Sequence, residues 1–167
     1  MLRMNKNILL TVPVFFSGII CLIMLCGSGC NRNNVKELYY KLPDMAWARF
    51  NLLRFEIPVN EVEKSWDVFL FARFTPDFQY KTLDFNMILN TAAGEERIHE
   101  YQMPVKSAEG TFLFNCVGDS CEGTLLLKRQ LYLSKAGILK IEIENLTPRL
   151  VTEGVIGVGI RLVESGK

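Results

Sequence analysis

Histidine is almost missing from this 167-residue chain: His99 is the only one. A Ser-His-Asp or Cys-His site would have to be built on it, yet no G-x-S-x-G nucleophile motif occurs. In Glu95-Glu96-Arg97-Ile98-His99-Glu100 the His-Glu pair has no second histidine four residues on, as a zinc-binding helix needs. The plain reading of His99 is a polar residue on an exposed strand face. A glycosidase-type pair of carboxylates depends on convergence in space and leaves no mark in a sequence. No catalytic residue, metal or cofactor is therefore assigned. An excess of charge is missing too. Lys plus Arg number 19 against 18 Asp plus Glu, and the basic run Lys128-Arg129 is two residues long. Nucleic-acid binders concentrate basic side chains on one face, so no nucleic-acid partner is expected. Gly154, Gly157 and Gly159 do not make a phosphate loop, because no helix follows them. Within a strand, glycine marks a bulge or a close backbone approach.

What the sequence does have begins at the N-terminus. Met1–Asn7 carries Arg3 and Lys6 and no acid, and Ile8 to Cys26 is almost continuously apolar. Gly27-Ser28-Gly29 follows, then Cys30 and the polar run Asn31-Arg32-Asn33-Asn34. Basic, apolar and small-residue parts in this order make a secretory signal. A cysteine directly after the small residues is where a lipoprotein takes its diacylglyceryl group. Residues 1–29 are read as a lipoprotein signal peptide and Cys30 as the lipidated residue. An uncleaved anchor and simple secretion remain open, since Gly27 stands where a lipobox has Leu and the apolar run is about 19 residues long, enough for a span. All three readings put the domain outside the cytoplasm, lipid-anchored to a membrane of the cell envelope in the first of them. Without Arg3 and Lys6 the mature chain would hold 17 basic against 18 acidic side chains.

Of the five cysteines, Cys116 and Cys121 lie close together in Asn-Cys-Val-Gly-Asp-Ser-Cys. An oxidising compartment permits a disulfide there, with two free thiols as the alternative. A single C-x4-C pair and one histidine do not make a zinc site.

From residue 50 onward strand patterns alternate with turn residues. Leu53, Phe55 and Ile57 alternate with Arg54 and Glu56, as Leu83, Phe85, Met87 and Leu89 do with Asp84, Asn86 and polar neighbours. Leu139/Ile141/Ile143 and Ile156/Val158/Ile160/Leu162 repeat the pattern. Val68–Phe74 is apolar on both faces, Leu125–Leu133 is a further strand, and Ile98–Met103 and Thr111–Cys116 are weaker ones. Short helical turns are predicted at Lys36–Tyr40 and Asn60–Lys64. Pro76-Asp77, Ala93-Gly94, Glu109-Gly110, Gly118-Asp119 and Ala136-Gly137 punctuate the runs. About seven to eight strands at this spacing predict an all-β, antiparallel β-sandwich over residues 50–167. Residues 30–49 are then a tether and N-terminal segment. Most of the aromatics between Phe69 and Phe85 belong in a core. Tyr39, Tyr40 and Trp47, in the segment with little strand pattern, are the candidate partner-binding residues.

The order of these features carries a resemblance. A lipoprotein signal is followed by Tyr39-Tyr40-Lys41-Leu42-Pro43, Trp47 and the Leu53–Ile57 strand. Then come Trp66-Asp67-Val68 to Ala72-Arg73, Tyr80, and the Leu83–Leu89 strand. Gly118-Asp119, Gly137 opening Ile138–Ile143, and Gly157-Val158-Gly159-Ile160-Arg161-Leu162 complete the series. This series resembles the GldH gliding motility lipoproteins of Bacteroidota over nearly the whole mature chain. The resemblance implies a lipid-anchored, non-enzymatic envelope protein that binds proteins of a motility or type IX secretion assembly. It brings no catalytic residues with it. A glycan-binding surface lipoprotein using exposed aromatics is the alternative, distinguished by contiguous aromatics on one concave face rather than an uncovered strand edge.

Overall fold

In an extended chain successive side chains point to opposite faces, so a strict apolar–polar alternation is enough to define an inside and an outside. The computed structural model describes residues 34–166, and nearly all of their regular structure is strand. In chain order these are β1 (Val35–Lys41), β2 (Ala46–Ala48), β3 (Leu53–Val59), β4 (Ser65–Phe74), β5 (Thr82–Asn90), β6 (Glu96–Pro104), β7 (Cys116–Val117), β8 (Ser120–Tyr132), β9 (Gly137–Asn145), β10 (Val151–Glu153) and β11 (Val155–Glu164). One sheet has the order β1-β11-β4-β8-β7, a second the order β3-β9-β5-β6, and β2 and β10 form a separate ribbon. Every pairing is antiparallel. The two large sheets enclose one apolar core, in the predicted β-sandwich.

The strands with the cleanest alternation take the expected register. Leu53, Phe55 and Ile57 on β3, Leu83, Phe85, Met87 and Leu89 on β5, and Leu139, Ile141 and Ile143 on β9 are all buried. The intervening Arg54, Glu56, Lys140 and Glu142 face outward, where Arg54 Nε donates to Glu142 Oε1 at 2.8 Å. On β11 the alternation holds for Val158, Ile160 and Leu162 but fails at Ile156. The register shifts between Val155 and Gly157, and this bulge moves Val155 into the core in place of Ile156. The β4–β8 pairing shifts twice, and Gln130 there takes a positive φ of 49°.

Four expectations need correction. The sandwich does not begin at residue 50: β1 pairs along its whole length with β11, and β2 pairs with β10. Lys36–Tyr40 is accordingly strand and not a helical turn, because β11 offers it an open ladder along Gly157–Val163. Asn60–Lys64 is an irregular turn without helix, and Thr111–Cys116 contributes a single bridge, Lys106 to Phe112, before β7.

Candidate functional site

Two residue types shape the outer face of the five-stranded sheet: glycine on β11 and aromatics on its neighbours. Gly157 and Gly159 face outward, opposite Lys41 and Tyr39 of β1 and opposite Arg73 and Phe71 of β4. A Cβ on Gly159 would collide with the Phe71 ring, and one on Gly157 with the Tyr39 ring. The missing side chains make the trough in which these rings lie. Tyr39 stacks on Phe71 with centroids 5.8 Å apart and planes 13° from parallel. Arg161 lies 4.8 Å above the Phe71 ring and Arg73 lies 5.0 Å above Tyr39. Each guanidinium is held by an acid: Arg161 Nε donates to Glu37 Oε2 at 2.6 Å and Arg73 Nε to Glu122 Oε2 at 2.8 Å. Phe71 is thus fully buried although it points away from the core. Burial raises the Tyr39 hydroxyl above its ordinary pKa, with the nearby Arg73 acting in the opposite direction. The layered cluster fastens β1 to the sheet. Sequence reasoning missed it; its signal was the Gly-x-Gly spacing of β11, legible only with the knowledge of which strands lie beside it.

The candidate partner residues separate. Tyr39 points to the outer face, whereas Tyr40 pairs with core-facing Val158 and so points inward, yet it stays 44% exposed. Leu38, opposite Ile160, is likewise on the inner face and 38% exposed. Trp47 is not a surface residue at all. It is 0% exposed, and its indole donates from Nε1 to the Asn51 carbonyl at 2.9 Å. A buried polar clamp fixes that segment. Asn145 donates from Nδ2 to the Trp47 carbonyl at 3.1 Å and to Thr152 Oγ1 at 2.9 Å, while its Oδ1 accepts the Thr147 N–H at 2.9 Å. Asn145-Leu146-Thr147 is therefore an internal turn at the end of β9. Cys116 and Cys121 stand opposite each other in the β7–β8 register and are joined as a disulfide. Cys30 lies outside the described residues.

The chemistry available is sparse. His99 is exposed on β6, its ring edge-on to Tyr101 at 6.3 Å. Among the described residues no group of three or more His, Cys, Asp or Glu side chains could hold a metal ion. A cleft of about 580 Å³ lies over the doubly shifted β4–β8 pairing and is lined by Asp67, Phe69, Thr124, Leu126, Arg129 and Gln130 among others. Asp67 is the one carboxylate there among the described residues, and its Oδ1 already accepts the Gln130 N–H at 2.8 Å and the Ser165 hydroxyl at 2.7 Å.

A family model described as GldH lipoprotein matches residues 34–162, from the residue before β1 to near the end of β11. The gliding motility lipoprotein GldH of Flavobacterium johnsoniae is 22% identical over 153 residues, covering 87% of this chain and 94% of that protein. The family match takes in β1 and β2, which the sequence pattern alone had left out of the sandwich. The chain belongs to the GldH lipoprotein family.

Proposed function

We infer that this protein is held on a membrane of the cell envelope by an acylated Cys30 and works, without catalysis, as a protein-binding component of a gliding motility assembly associated with type IX secretion. The anchoring rests on the Gly27-Ser28-Gly29-Cys30 junction, which ends just before the family match begins at residue 34. The binding role rests on one observation above the others: β1, at an edge of the five-stranded sheet that no other strand covers among the described residues, leaves inward-facing Leu38 and Tyr40 substantially exposed. Exposed apolar side chains on a bare sheet edge are characteristic of association surfaces. A glycan platform would need several aromatics on one concave face. Here Tyr39 and Tyr40 point to opposite faces of one strand, and Trp47 is internal.

The test is complementation of a deletion strain combined with labelling by a clickable fatty acid. The wild type should take the label and restore gliding, or secretion in a host that does not glide. Cys30→Ala should lose both, and His99→Ala should lose neither. Full function of unlabelled Cys30→Ala would overturn the anchoring. Loss of function in a folded, labelled His99→Ala protein would overturn the non-enzymatic reading.

A further inference from the structure

We propose that β1 is the acceptor edge for an extended segment of another envelope protein, which adds to the five-stranded sheet as its sixth strand beyond β1. The proposal rests on the protein-binding reading and names its site and mode.

The backbone makes the first part of the case. The Asn34 carbonyl accepts the Glu164 N–H, and the Leu42 N–H donates to the Ile156 carbonyl, both at the β11 side. Antiparallel ladders alternate, so Lys36, Leu38 and Tyr40 also turn their backbone groups to β11. Val35, Glu37, Tyr39 and Lys41 then turn their N–H and C=O groups to the free edge, where among the described residues no strand lies. The natural partner for a row of in-plane donors and acceptors is another strand.

The side chains make the second part. Leu38 and Tyr40 share a face with Ile160 and Val158, which are 0% exposed, yet they themselves are left open. The facing sheet ends at β3 on this side, where the Pro58 carbonyl accepts from Lys36 Nζ at 3.0 Å, near the start of β1. Core-facing residues are therefore left without the neighbour that would cover them. A sixth strand with apolar residues at alternate positions would supply that cover.

Comparison with the other edges shows that this one is unusual. Proteins blunt free edges with proline, short strands or inward-pointing charges. β3 carries Pro58, β7 is two residues long and clipped by a disulfide, and β6 has Arg97 and His99 on its core-side positions. On β1 the inward charge of Lys36 guards only the end near Val35. Leu38–Lys41 has no such guard. Lys41, exposed and in no ion pair among the described residues, favours an acidic side chain on the outer face of the incoming segment.

The experiment places the photo-reactive residue benzoylphenylalanine at 38 or 40 of the full chain in living cells, with 50, 150 and 142 as comparison sites. Positions 38 and 40 should form an adduct with a single envelope protein, and mass spectrometry should place the two cross-links about two residues apart in one segment. Lys41→Pro removes one free-edge N–H and, by the alternation, no bond to β11, and should reduce the adduct at least tenfold. Leu38→Glu, read with the photo-reactive residue at 40, should do the same, and thermal unfolding of each purified variant should show that the domain still folds. No adduct at 38 and 40, an adduct insensitive to both substitutions, or cross-links scattered over a partner's surface would overturn the proposal. An adduct with a second copy of this chain would overturn it as well, assigning the edge to self-pairing. If 50 or 150 captures a protein while 38 and 40 do not, the strand proposal falls and the binding reading survives; silence at every site removes both.

Discussion

A methyl group added at Gly159 would meet the Phe71 ring and the Leu38 carbonyl oxygen. Neither can yield easily, because the ring is held against Tyr39 and Arg161 and the carbonyl belongs to β1. Gly159→Ala should therefore cost about 1–3 kcal/mol, the usual penalty for overpacking. Native-state hydrogen exchange should show the loss concentrated in β1; a loss spread evenly over the domain would contradict the clamp. Tyr101 offers a pH test. Its hydroxyl donates to the Leu127 carbonyl at 2.6 Å and ties the two sheets, and burial raises its pKa above the ordinary 10.0. The folded state thus favours the protonated form. The stability this group contributes is fully present below its unfolded pKa and is lost as pH rises through the higher, folded value. Wild type should exceed Tyr101→Phe in stability at neutral pH, by about 1 kcal/mol for one hydrogen bond. The gap should narrow steadily above the unfolded pKa, and a gap independent of pH would refute the assignment. Trp47 shows what single residues hide from sequence reading. Its segment has no alternation to mark a buried face; its burial comes from long-range partners, the β10 pairing and the Asn145 bond to its carbonyl from 98 positions away.

At the scale of strands, legibility followed the environment of each face. β3, β5 and β9 have one wet and one dry face, so their composition gave the register directly. Phe85→Ala or Ile141→Ala should then cost about 2–5 kcal/mol, as core truncations do. Glu142→Ala removes only an exposed ion pair with Arg54 and should stay within about 0.5 kcal/mol. Urea unfolding of the three variants checks this, and equal losses would mean a register off by one. β1 was not legible in the same way. Its inner side chains are half-exposed and its outer ones, Val35 apart, are charged or aromatic, so no dry face marks the strand. The β11 bulge was likewise invisible: Ile156 continues the apolar pattern by composition, and only the shifted pairing turns it aside. The β7–β8 hairpin depends on its cross-link in a limited way. The Cys116–Cys121 loop is short, with a sequence separation of 5. Loop-closure entropy then gives about 2 kcal/mol. Non-reducing peptide mass spectrometry should find the pair linked in protein isolated from the envelope, and two alkylatable thiols would exclude the bond there.

For the whole molecule the decisive dimension is the distance between anchor and edge. If Cys30 carries the lipid, Val35, the first residue of β1, lies five residues away, at most about 17 Å of extended chain. Such a tether keeps the acceptor edge close to the bilayer and so close to any partner emerging from it. Binding along a short strand edge gains much from this confinement, since the tether sets the effective concentration. Inserting about twenty Gly/Ser residues between Asn33 and Asn34 would leave lipidation and the folded domain intact, while widening the tether to a random coil of about 25–30 Å root-mean-square length. Effective concentration falls roughly as the −3/2 power of length, so a fivefold longer tether should dilute the edge about tenfold. Complementation by this variant should accordingly be weaker than wild type yet stronger than Cys30→Ala, and overexpression should restore it, because added copies offset the dilution. The photo-adduct from position 40 should fall and recover in parallel with gliding. Undiminished gliding at normal expression would show that the anchor only retains the protein in the envelope and does not present β1. A defect that overexpression fails to rescue would instead mean that the short tether fixes the orientation of the domain.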